Sequence, residues 1–83
     1  MTSEEKMKLA KKFYDNLNLN NYSLKIIRDE EINADYIYVL NSRGPGGLII
    51  SDNGEYLFCQ SAHSYNFWKE EFKKGIRSHS KYL

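Results

Sequence analysis

The segment Asn41–Glu55, NSRGPGGLIISDNGE, holds four of the five glycines and the only proline of an 83-residue chain. Leu48–Ser51 and the stretch 55–60 flank Asp52-Asn53-Gly54, a turn whose glycine supplies a positive-φ position at low steric cost. Two short strands joined by such a turn confine the middle of the chain to antiparallel sheet. That constraint governs the architecture. It says little about activity.

Eighty-three residues make a single domain, 1–83, of a size that buries only about 60–65% of its unfolded surface. One cysteine permits neither an internal disulfide nor a cysteine-built zinc site, so packing must carry stability. Seven tyrosines and four phenylalanines supply that packing, and most are expected in the core. The lone cysteine and the lack of a signal peptide point to a reducing, cytoplasmic setting. No apolar run approaches the length of a membrane span. A formal net charge of +1 is neither that of a DNA mimic nor a strongly basic footprint. The abundance of Lys, Asn, Ile and Tyr suits an AT-rich source, a bacterium or its phage.

Both ends read as helix. Thr2 and Glu5 have capping-box spacing, and Met7, Ala10, Phe13, Tyr14 and Leu17 make one apolar face before the asparagine-rich stop at 16–21. Tyr22, Leu24 and Ile26 then alternate with polar residues, which predicts a half-buried strand to about Arg28. Residues 36–40 predict a central strand with Tyr36, Tyr38 and Leu40 on one face. Ser61 or Ser64 caps a closing helix in which Tyr65, Trp68 and Phe72 form a stripe, and Gly75 ends it. Residues 77–83 read as a frayed tail. The expected fold is α+β in two layers: a three- or four-stranded antiparallel sheet with both helices on one face.

Catalytic chemistry has little support. Cys59 and His63 are near one another, but a cysteine alternating with Phe58 on a strand behaves as a small hydrophobe, and no acid is placed to orient the histidine. Two further metal ligands are missing beside them. The expectation is therefore a non-enzymatic chain without cofactor or metal.

Three features bear on binding. The loop Arg43-Gly44-Pro45-Gly46-Gly47 could converge backbone N–H groups on an anion, with Arg43 as clamp; it also reads as a tight strand connection. It lacks phosphate-loop spacing and leads into a strand. Lys69, Lys73, Lys74, Arg77 and Lys81 outnumber Glu70 and Glu71, giving +3 locally, while Arg28, Asp29, Glu30, Glu31 and Asp35 give −3. The basic end would grip phosphates or merely complement a helix dipole. Tyr22, Tyr36, Tyr38 and Tyr56 would line the sheet face left bare by two helices on the other side, forming a stacking platform or a protein contact surface.

The helix–strands–helix order is shared by double-stranded RNA-binding domains, yet Ser61-Ala62-His63-Ser64 stands where they place lysines. The N-G-E-Y run at 53–56, leading to a phenylalanine-bearing helix closed by K-K-G at 73–75, resembles small phage anti-CRISPR inhibitors in element order only; no functional residue carries over. The function expected is a small interaction module of the inhibitor or immunity-protein kind, binding a protein or a second copy of itself. Its candidate residues are Arg43, Gly44, Gly46, Gly47, Tyr36, Tyr38 and Tyr56. The alternative is nucleic-acid or nucleotide binding through the glycine loop and Lys73, Lys74 and Arg77.

Overall fold

The capping box closes as the spacing predicts: in the computed structural model the Thr2 N–H donates to Glu5 Oε1 at 2.8 Å and the Glu5 N–H donates to Thr2 Oγ1 at 3.1 Å. The helix it starts, α1, runs Ser3–Asn16. Four strands follow, β1 (Ser23–Asp29), β2 (Ala34–Leu40), β3 (Gly47–Ser51) and β4 (Tyr56–Cys59), and then α2 (Tyr65–Lys73). The structure describes residues 1–18, 22–40 and 46–78. The strands form one antiparallel meander in chain order, β1-β2-β3-β4. This is the small α+β fold the sequence predicts.

The predicted hairpin is present, with the Gly54 N–H bonded to Ser51 O at 3.0 Å and the Ser51 N–H to Glu55 O at 2.8 Å. At the end of α2 the Ile76 N–H reaches Glu71 O and the Gly75 N–H reaches Phe72 O, both at 3.1 Å, the Schellman pattern. Arg77 and Ser78, expected to begin a frayed tail, are instead pinned to the domain. The Ser78 N–H donates to Tyr56 O at 2.9 Å, and Ser78 Oγ accepts from the Phe58 N–H at 2.8 Å. Residues 79–83 of that expected tail lie outside the described residues.

The placement of the helices corrects the expectation. They pack on opposite faces of the sheet, giving three layers rather than two. Ala10, Phe13 and Tyr14 of α1 join Ile37, Val39, Leu48, Ile50 and Tyr56 in one core. Phe72 of α2 joins Ala34, Ile49, Leu57 and Cys59 in a second, with Tyr36, Tyr65 and Trp68 against it. The reason is legible in β3 and β4, which are apolar in both alternation classes. A sheet with no polar face must be covered twice.

Between α1 and the sheet lies a lysine, Lys6, only 1% exposed. Its Nζ donates to Asp35 Oδ2 at 2.9 Å and to Asp52 Oδ1 at 2.6 Å. Asp52 also receives a bidentate contact from Arg28, Nη1 to Oδ1 at 2.7 Å and Nη2 to Oδ2 at 3.0 Å. Burial pulls the Lys6 pKa down, but the hydrogen bonds to Asp52 and Asp35 outweigh it and raise it. The Arg28 guanidinium first, and Lys6 second, hold the Asp52 carboxyl well below the usual carboxylate range. Sequence reading missed this network, though Lys6 falls in line with Ala10 and Phe13 on the helical stripe. Asp35 likewise shares an alternation class with Ile37 and Val39, so both charges stood at inward positions.

Candidate interaction surface

Strand alternation sorts the residues of the α2 side. Register pairs Ile27 with Tyr36, Lys25 with Tyr38 and Ser23 with Leu40, so these share the face that carries Ile49, Leu57 and Cys59. With nine residues, α2 cannot span it. It lies over Ala34, Ile49 and Leu57, and reaches the end of β1 through the Tyr65 hydroxyl, which donates to Asp29 Oδ2 at 2.6 Å.

Among the described residues, no element covers the far quarter of that face, toward the start of β1 and the end of β2. Leu40, opposite Ser23, is 36% exposed there, with Tyr38 half-buried and Lys25 exposed opposite it, and Ile27, farther along β1 opposite Tyr36, is 45% exposed at the margin of α2. Tyr38 stacks on Tyr36, centroids 5.4 Å apart, and Tyr36 packs on Tyr65 at 4.6 Å. The aromatic row therefore runs from beneath α2 out to the open quarter. Tyr38 is its outward end.

The two outer strands differ in the same direction. The outer edge of β4 is occupied by Ser78, whereas among the described residues β1 pairs with β2 alone. A strand edge left unpaired presents a row of backbone donors and acceptors to any second chain.

The other sequence candidates separate. Tyr56, expected beside Tyr36 and Tyr38, lies on the α1 side and is buried, because it pairs with Ile50 and takes the opposite parity. Tyr22 also belongs to the α1 side, where it packs on Tyr14 and its hydroxyl donates to Asp15 Oδ1 at 2.6 Å. The tyrosines thus divide between two faces and form no single platform. Gly46 and Gly47 have structural roles. Gly46 sits at φ +106°, where a Cβ would meet Cys59 O at 1.9 Å, and its carbonyl accepts from the Tyr14 hydroxyl at 2.6 Å. The Tyr36 ring lies across Gly47, 2.4 Å from where a Cβ would stand. Arg43 and Gly44 lie outside the described residues.

The basic end of the chain meets the acidic connection. Lys69 Nζ bridges Asp29 Oδ2 and Glu31 Oε2, each at 3.0 Å, and Lys73 contacts Glu31 and Glu70. The Arg77 guanidinium lies over the Phe72 ring at 3.5 Å and donates to Glu55 Oε1 and to Phe72 O. Lys74 is exposed, 4.0 Å from Glu71. The two opposite charge clusters of the sequence thus meet through Lys69 and Lys73 on Asp29 and Glu31, while Asp35 goes to Lys6 and Arg77 to Glu55.

Cys59 is buried, and burial pushes its thiol up to about 12, which disfavours the thiolate a nucleophile requires. His63 stacks on Phe67, centroids 4.1 Å apart. A dimple of about 390 Å³ between the hairpin turn and the end of α2 is lined by Asn33, Ser51, Asp52, Glu55, Phe72 and Arg77 among others. Its charged groups already bind one another or Lys6 and Arg28. No helix among the described residues is long and apolar enough to cross a membrane. Comparison with protein-family models, with curated proteins and with solved structures gives no match.

Proposed function

We propose that this chain is a non-enzymatic interaction module of the small inhibitor or immunity-protein kind, which docks a protein partner on the open quarter of the α2 side and the adjoining edge of β1. The observation that carries the reading is the exposure of two large aliphatic side chains, Ile27 and Leu40, on either side of Lys25 and Tyr38 on one sheet face, next to a β1 edge that is unpaired among the described residues. Apolar surface next to free backbone groups suits recognition of an extended segment, in which main-chain bonds give affinity and side-chain contacts give selectivity. Nucleic-acid binding through Lys73, Lys74 and Arg77 is disfavoured, because Lys73 and Arg77 already hold carboxylates. The single buried thiol suits a reducing cytoplasm of a bacterium or phage-infected cell.

The test compares wild type with Ile27→Lys/Leu40→Lys as baits in host extract, with far-UV circular dichroism confirming that the variant folds. Loss of one stoichiometric protein from the variant bait is expected. An unchanged set of captured proteins would refute the assignment of this surface.

A further inference from the structure

We infer that the occupant of the β1 edge is a second copy of this chain, paired antiparallel about a twofold axis through Ile27. The inference rests on the reading of this surface as a docking site and adds the identity of the partner. A twofold axis that continues the sheet places a residue of β1 opposite itself, so the four central choices, Lys25 to Arg28, can be compared. Centring on Lys25 sets two ammonium groups together, and centring on Arg28 sets two guanidinium groups together; both are repulsive. Centring on Ile26 places Lys25 against the partner's Ile27 and Leu24 against the partner's Arg28, with no charge matched.

Centring on Ile27 matches the apolar and the charged residues of β1 on the open face. The most exposed aliphatic residue of β1, at 45%, then packs on its own image. Lys25 stands opposite the partner's Asp29, and the partner's Lys25 opposite Asp29, so symmetry makes the pair twice. Asp29 can take the added contact. Its Oδ2 receives Tyr65 and Lys69, while the structure gives Oδ1 one partner, the Glu31 N–H at 3.1 Å, and a carboxylate oxygen accepts two. On the α1 side the same register sets the aliphatic Ile26 against the stem of the partner's Arg28. A lysine in an edge strand usually guards it against pairing. Here the same strand carries, four residues on, the aspartate that receives that lysine, which converts a guard into a register mark.

Sedimentation velocity on the purified full chain tests this. Wild type is expected at twice 9.8 kDa at protein concentrations approaching about 1 mM, with association weakening as salt screens the two ion pairs. Lys25→Asp and Ile27→Lys should each raise the dimer dissociation constant roughly tenfold or more. Mixing Lys25→Asp with Asp29→Lys should restore a heterodimer, since each chain then supplies what the other lacks, while neither variant pairs with itself. Monomeric wild type at the highest concentration overturns the inference, as does a dimer indifferent to Lys25→Asp. Monomeric wild type whose Ile27- and Leu40-dependent capture of another protein persists would defeat self-pairing alone and leave the docking surface standing.

Discussion

The two helices do the same job by different means. α1 covers its face of the sheet with a continuous apolar stripe and one buried ammonium shared by two carboxylates. α2 buries one residue fully, Phe72, and is otherwise held by half-buried rings, by the partly buried pair Lys69–Asp29 and by exposed pairs of Lys69 and Lys73 with Glu31. Surface pairs contribute little and are screened by salt, while a buried pair is screened far less and is costly to break. The comparison implies unequal strength: α1 and the sheet form one cooperative unit, and α2 is the part that opens first.

The largest effect that would break this picture falls on α1. Phe13→Ala removes a fully buried ring contacting Tyr14 and Phe58 and is expected to cost about 3–5 kcal/mol in urea unfolding. Lys6→Met comes next, at about 3 kcal/mol, because it leaves the buried Asp35 carboxylate with only the 3.8 Å contact of Arg28. Adding Asp35→Leu to Lys6→Met should recover much of that loss, since an apolar pair of similar volume avoids the desolvation cost. A double variant no more stable than Lys6→Met would show that the charge itself is required. On the α2 side, Tyr65→Phe removes one bond to a carboxylate and should cost about 1–2 kcal/mol, with faster amide exchange confined to α2. Lys73→Ala should have the smallest effect, a shift in midpoint temperature that vanishes in high salt.

Acid sharpens the same contrast. Asp52 is held low by Arg28 and Lys6, and Glu31 by Lys73 and Lys69. For Asp29, burial works upward, but Tyr65 and Lys69 outweigh it and the net shift is downward. A carboxyl with a depressed folded-state pKa stabilises above its ordinary value and loses that contribution as pH falls through the folded value. Stability should therefore be level near neutrality and decline below the ordinary carboxylate range of about 4. Hydrogen exchange followed from pH 7 downward should show α2 deprotected before α1; simultaneous loss would deny the inequality of the two faces.

Much of the fold was legible because period and punctuation agreed. Thr2 and Glu5, the alternation in 22–28, the Asp52-Asn53-Gly54 turn and the Gly75 stop all place an element where one exists. The side taken by α2 was not, because residues 60–64 can lead the chain over either face. Only the double apolar character of β3 and β4, taken together, calls for cover on both. The same oversight gathered Tyr36, Tyr38 and Tyr56 into one surface. Tyr38 remains at the open quarter, Tyr36 is half beneath α2, and Tyr56 faces α1. The outer edge of β1, unpaired among the described residues, was missed for a simpler reason: which strand lies outermost is a property of sheet order, and Lys25, a charge that edge strands often carry, also fits plain polar alternation.

Ser78 stops the sheet at β4 by lending its backbone N–H and its hydroxyl to the strand beside it. A ribbon of strands blocked on one flank can be extended only from the other. Self-association through such a layer would close after a single partner, with a finite stoichiometry in place of the open-ended stacking that two bare flanks would allow.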